Sequence, residues 1–138
     1  MGRDYLPRDS GISGETGLIK NGIQNGRREI HMKITDMKSA PEKPNPHNVS
    51  VRMLYDSENA QAVHIELKPG EALKRHITPV DVFFYVLEGN GAVEIGDEQV
   101  GVSRDMIIES PAKIPHRLLN PGNGIFRVLV VKAPRPKE

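Results

Sequence analysis

From Val49 onward, apolar and polar positions alternate in short runs separated by glycine, proline and asparagine. Val49, Val51, Met53 and Tyr55 share one face of an extended segment, with Ser50 and Arg52 on the other, the period of a half-buried strand. Residues 56–59 read as a turn. Residues 60–67 read as the next strand, with Val63, Ile65 and Leu67 on one side and His64 and Glu66 opposite. Lys68, Pro69 and Gly70 turn the chain into a stretch carrying His76. A Thr-Pro-Val-Asp corner then leads into a dense apolar strand ending at Glu88 and Gly89. Further short strands are expected at 92–95, 98–102, 106–108 and 125–132, with a hairpin at Gly96-Asp97 and a turn at 120–124. No segment carries a convincing amphipathic helix of about ten residues.

The rest of the chain reads differently. Residues 1–31 have no sustained period and are expected to form a mobile extension, leaving 32–138 as one domain. Ile30, Met32 and Ile34 alternate with charged residues, which allows one short strand there. Residues 39–48 are a proline-rich linker, in which His47 is expected to be solvated.

Composition narrows the class. Thirteen glycines and 11 prolines in 138 residues fit a turn-rich, all-β chain long enough for a real core. A net charge of +1 gives no field that points to nucleic acid or a membrane surface. No apolar run is long enough to span a bilayer. With no cysteine, disulfides, thiolate catalysis and cysteine-based zinc sites are excluded, and a cytoplasmic location is expected.

Two stretches carry candidate chemistry. In residues 70–89, Gly70, His76 and Gly89 keep a fixed spacing, and in residues 111–120 so do Pro111, His116 and Asn120. These spacings, with the Tyr-Val-Leu-Glu-Gly run at 85–89, resemble the two motifs of the cupin superfamily. The resemblance covers roughly residues 49–132 and implies a double-stranded β-helix, the jelly-roll barrel. It departs from the family pattern where the family chemistry lies. Thr78 stands at the second histidine position, Val82 at the glutamate position with Asp81 one residue early, and Asp105 and Lys113 at glycine positions. Of the four usual metal ligands, His76 and His116 remain.

Residues two apart on a strand share a face, so His76 and Thr78 are expected to point together, with His116 converging on them. Imidazoles suit a divalent transition metal such as Mn, Fe, Ni or Zn, but a catalytic site usually takes three protein ligands. Asp81 would join only if the corner shifts the strand by one residue. Its preferred reading is a turn residue satisfying backbone amides, with a general base beside His76 as the alternative. His64 is expected to be an outward surface histidine rather than a ligand. Lys74, Arg75 and Lys113 either rim the site or are simply solvated, and the second is preferred. Ser110, His116 and Asp105 make a triad on paper, without the nucleophile elbow that would support it.

The expected pocket lies inside the barrel, lined by His76, Thr78, Val82, Phe84, His116 and Leu118. Phe83 and Tyr85 then face outward, which calls for cover by a second copy in a homodimer or by the N-terminal segment. The leading expectation is a binder of a small polar metabolite held by His76 and His116, with the metal site partial or absent. The alternative is a metal-dependent oxygenase, isomerase or decarboxylase with the metal on the same two histidines.

Overall fold

The computed structural model describes residues 31–137. The expected mobile extension at 1–31 therefore lies, apart from His31, outside the described residues. No strand forms at 31–36; Met32 and Ile34 are exposed, and the first regular element among the described residues is a 3-10 turn at Met37–Ser39, capped by the Asp36 carboxylate on Lys38 N–H. Met32 and Ile34 lack a partner strand among the described residues, and an isolated strand has no ladder to satisfy its backbone.

Eight strands follow: β1 Ser50–Ser57, β2 Ala60–Leu67, β3 Asp81–Glu88, β4 Asn90–Ile95, β5 Glu98–Ser103, β6 Ile107–Ser110, β7 His116–Leu119 and β8 Phe126–Ala133. They form a five-stranded sheet in the order β1-β2-β8-β3-β6 and a three-stranded sheet in the order β5-β4-β7. This is the all-β double-stranded β-helix that the two motifs imply. The stretch carrying His76 is not a regular strand. It touches β7 through two isolated bridges, Ala72 to Leu119 and His76 to His116.

The antiparallel register stacks inward side chains in layers. Val86, Val128, Ile65 and Val51 form one layer, and Phe84, Val130, Val63 and Met53 the next. Above them sit Val82, Lys132 and Gln61. The lower layers, closed by Leu67, Phe126 and Leu118, are the buried core. Among these register layers polarity enters at the upper end, and this placement makes that end the site.

Two expectations about strand faces are corrected. The register of β1 shifts between Met53 and Tyr55, and this bulge turns Tyr55 away from the face of Val51 and Met53; it is 56% exposed. His64 does lie opposite Val63 and Ile65, but it is 2% exposed rather than a surface residue. Its register partners are Arg52 and Leu129.

Asn120 explains its place in the second motif. Buried, it donates to the carbonyls of Leu67 and Gly124 at 2.9 and 2.8 Å and accepts from Gly122 N–H. One side chain thereby ties the β7–β8 turn to the end of β2. Gly89 has φ +83, and a Cβ there would collide with the Ile125 carbonyl oxygen, so the β3–β4 corner needs glycine twice over. No described helix is long and apolar enough to cross a membrane.

Candidate functional site

His76 and His116 meet. Their rings are edge-on with centroids 4.7 Å apart, and the backbones are bridged by His76 N–H to His116 O and His116 N–H to His76 O at 3.2 and 2.9 Å. His116 opens β7 and is 3% exposed. Both of its ring nitrogens face hydroxyls: Nδ1 lies 2.7 Å from Ser110 Oγ, and Nε2 lies 3.2 Å from Thr78 Oγ1. A neutral imidazole has one N–H and one lone pair, and the two hydroxyls can serve both. Burial, then the His76 and Lys132 charges, push the His116 pKa down from 6.5 to about 4. His116 is therefore neutral at neutral pH.

Sequence reasoning missed a third histidine. His47, expected to be solvated in the linker, packs against His76 with ring centroids 5.0 Å apart. Lys74 holds the pair through its backbone. Its N–H donates to His47 Nδ1 at 2.8 Å, and its carbonyl accepts from His76 Nδ1 at 2.9 Å. A carbonyl can only accept, so His76 carries its proton on Nδ1 and keeps the Nε2 lone pair; His47, accepting on Nδ1, carries its proton on Nε2. The loop is shaped by Asn45, which accepts from His47 N–H at 3.0 Å and donates to the Val49 carbonyl at 2.8 Å. Burial lowers the His47 pKa, with His76, Lys74 and Lys132 acting in the same direction.

These rings border a cavity of about 340 Å³ inside the barrel, walled by the inner faces of β1, β2, β3 and β8 and by residues 43–47. Of the six residues expected to line it, His76, Val82, Phe84 and His116 do. Thr78 is buried behind His116 on its hydroxyl contact, and Leu118 is fully buried in the core. Phe84 also packs edge-on against the His116 ring, with centroids 5.4 Å apart.

The donor set does not fit a complete catalytic metal centre. Thr78 takes the Nε2 direction of His116, His47 has its lone pair committed to Lys74 N–H, and Val82 replaces a carboxylate with a methyl surface. The His76 Nε2 lone pair is left without a second or third ligand beside it. Among the described residues no group of three or more histidines, aspartates or glutamates could hold a metal ion.

The remaining candidates separate. Asp81 accepts from Ala112 N–H at 2.8 Å, the turn role preferred for it. Asp105 accepts from Tyr85 OH at 3.0 Å, while Ser110 and His116 are buried together, so the paper triad does not assemble. Arg75 is not simply solvated: with Arg117 it brackets Glu94, at 3.1 and 2.9 Å, and it donates to the Gly96 carbonyl. His64 Nε2 accepts from Arg127 Nε at 3.2 Å, and its Nδ1 is the one buried side-chain polar atom without a partner among the described residues. It lies on the opposite sheet face from the cavity and does not join the site.

Sequence and structure comparisons bear on the fold and the family. The profile of the Cupin domain family matches residues 63–132, half of the chain. Tetracenomycin polyketide synthase protein TcmJ of Streptomyces glaucescens is 37% identical over 78 residues, covering 54% of this chain and 52% of TcmJ. The chain thus spans about half the length of that relative. The crystal structure of TT1209 from Thermus thermophilus is 33% identical, covers 76% of this chain and 100% of its own, and superposes with TM-score 0.66. The polyketide cyclase RemF of Streptomyces resistomycificus is similar in fold alone, at 19% identity, 78% and 83% coverage and TM-score 0.69.

Proposed function

The chain belongs to the cupin family, and on that premise we propose that it binds a small polar metabolite in the barrel, held by His76 and walled by the hydroxyl-saturated ring of His116, without a complete metal site. The observation that carries the reading is the hydroxyl of Thr78 on His116 Nε2, where a ligating histidine would need that nitrogen open. What remains is a cavity of the size used for small ligands, apolar below and polar at one end. The name of TcmJ, a polyketide synthase protein, makes an intermediate or product of such a synthase a reasonable first compound to test.

Two further features belong to the same reading. Phe83 and Tyr85 stand half-buried on the outer face of β3, with the exposed Ile107 opposite Tyr85, and a second copy of the chain would cover them. Light scattering at micromolar concentration is expected to give twice the 15.3 kDa chain mass, and a monomer mass contradicts the dimer. A cysteine-free composition suits a cytoplasmic protein.

Protein-observed NMR with a fragment library tests the binding site. Fragments are expected to shift the Val82, Phe84 and Val130 amides, and the shifts should disappear in both His76→Ala and His116→Ala. Binding confined to the outer surface, or unchanged in both variants, contradicts the reading.

A further inference from the structure

One residue's backbone sets the chemistry of two rings at the cavity. Lys74 N–H donates to His47 Nδ1 at 2.8 Å, and the Lys74 carbonyl accepts from His76 Nδ1 at 2.9 Å. A backbone N–H cannot accept and a carbonyl cannot donate, so the two neutral rings are held in opposite tautomers. His76 keeps a lone pair on Nε2, and His47 keeps an N–H there. Neither Nε2 has a hydrogen-bond partner among the described residues. Neither is sealed off, because the one buried side-chain polar atom without a partner among those residues is His64 Nδ1. Both rings line the cavity, with centroids 5.0 Å apart.

The other polar side chains on this wall are spent or solvated. Both ring nitrogens of His116 face hydroxyls. Asn45 donates to the Lys43 and Val49 carbonyls and accepts from His47 N–H, and Gln61 donates to Asp56. Lys43 is exposed, and Lys132 is engaged in an interaction of its own. An occupant therefore meets one acceptor and one donor side by side, next to the apolar surface of Met53, Val63, Phe84 and Val130. A hydroxyl matches both, since its oxygen accepts from one nitrogen while its proton goes to the other. Two such bonds of ordinary length on one oxygen put their partner atoms roughly 4.5 Å apart, the order of the separation between the rings. A carboxylate has no proton for His76 Nε2 and sets lone pair against lone pair. An ether or a ketone leaves that nitrogen without a donor.

We infer that the barrel ligand is an uncharged hydroxyl compound, a phenol or alcohol on an apolar body, whose hydroxyl donates to His76 Nε2 and accepts from His47 Nε2–H. His47 is then a specificity-determining residue beside His76. This rests on the barrel-binding reading above and adds the ligand's functional group to it.

Long-range proton–nitrogen NMR of the histidine rings reads the tautomers first, in the full chain at pH 7.5, where imidazoles of ordinary pKa are mostly neutral. The protons are expected on Nδ1 of His76 and Nε2 of His47, and a proton on His76 Nε2 in the neutral ring overturns the assignment. Three probes of one shape follow: p-cresol, 4-fluorotoluene, which is close to it in size but has no hydroxyl proton, and 4-methylanisole, which keeps the oxygen and loses the proton. Affinity and location both come from amide-shift titrations. Cresol is expected to bind in the barrel at least about fivefold more tightly than either analogue, a difference of ~1 kcal/mol, and to move the His76 Nε2 resonance. His76→Phe is expected to reduce that ratio to below about twofold, and His47→Phe to lower it by a smaller factor; a ratio unchanged in both variants overturns the assignment. If either analogue binds in the barrel of the wild type as tightly as cresol, the hydroxyl assignment is overturned and barrel binding stands. If none of the three shifts barrel amides, both the assignment and barrel binding of ligands of this size are overturned.

Discussion

Thr78 Oγ1 and His116 Nε2 lie 3.2 Å apart in a buried contact, at the place where the family motif has a second histidine. The threonine is too short to ligate alongside His116, but it is placed to satisfy its ring. With Ser110 Oγ on Nδ1, the imidazole is saturated by hydroxyls. Removing either hydroxyl strands a buried nitrogen, which costs about 1–3 kcal/mol. Thr78→Val and Ser110→Ala are each expected to lower unfolding stability by that amount in urea titrations, with Ser110→Ala the larger because its contact is shorter. Losses under about 0.3 kcal/mol in both would contradict the saturated-ring account.

The histidines also set a pH dependence. His116, His64 and His47 all have pKa values below 6.5 in the folded chain, each chiefly through burial. Below the unfolded value the unfolded chain takes up protons that the folded chain refuses, so stability falls as pH drops. For His116 the fall runs from about pH 6.5 to about pH 4, and levels off where the folded ring also protonates. Wild type is expected to lose stability steadily from pH 7 to 4.5. His116→Gln should show a shallower slope, because carboxylate titration is common to both proteins. Equal slopes would place the His116 pKa near its ordinary value.

Asp105 and Lys113 occupy glycine positions of the motif, and both keep a left-handed backbone, with φ of 70°. Asp105 recovers part of the cost through its bond from Tyr85 OH. Lys113 is anchored through its backbone, where its N–H is held by the Thr78 carbonyl at 2.8 Å. A non-glycine residue in this region costs roughly 1–2 kcal/mol, and glycine returns part of that as chain entropy. Lys113→Gly is therefore expected to raise stability by about 0.5–1 kcal/mol, while Asp105→Gly gains less. Thermal unfolding of the two variants checks the order.

Much of the fold was legible because strand alternation reports faces directly. Val82, Phe84 and Val86 point inward as read, and Gly96-Asp97 does turn the β4–β5 hairpin. The motif spacing brought His76 to His116. The failures have separate physical origins, the first being that alternation fixes the side of a sheet but not what covers it. His64 was placed on the correct side and judged exposed, although it is buried there with Arg127 on its ring. Tyr55 followed the alternation until a bulge broke it. His47 had no period to read, because its position depends on Asn45 shaping the loop and on Lys74 N–H, 27 residues away, binding its ring. Lys132 looked like the end of a strand, and only the register with Val82 and Gln61 shows it at the mouth of the cavity.

His76 is thus proposed to serve a ligand rather than a metal, beside a His116 ring closed off by Thr78 and Ser110. Elemental analysis by plasma mass spectrometry, on untagged protein reconstituted with Mn, Fe, Ni and Zn in turn and then desalted, tests it most directly. Well under one metal per chain is expected in every case, with no difference between wild type, His76→Ala and His116→Ala. Near-stoichiometric metal in wild type, lost in both variants, would contradict it and establish the metal-dependent reading in its place.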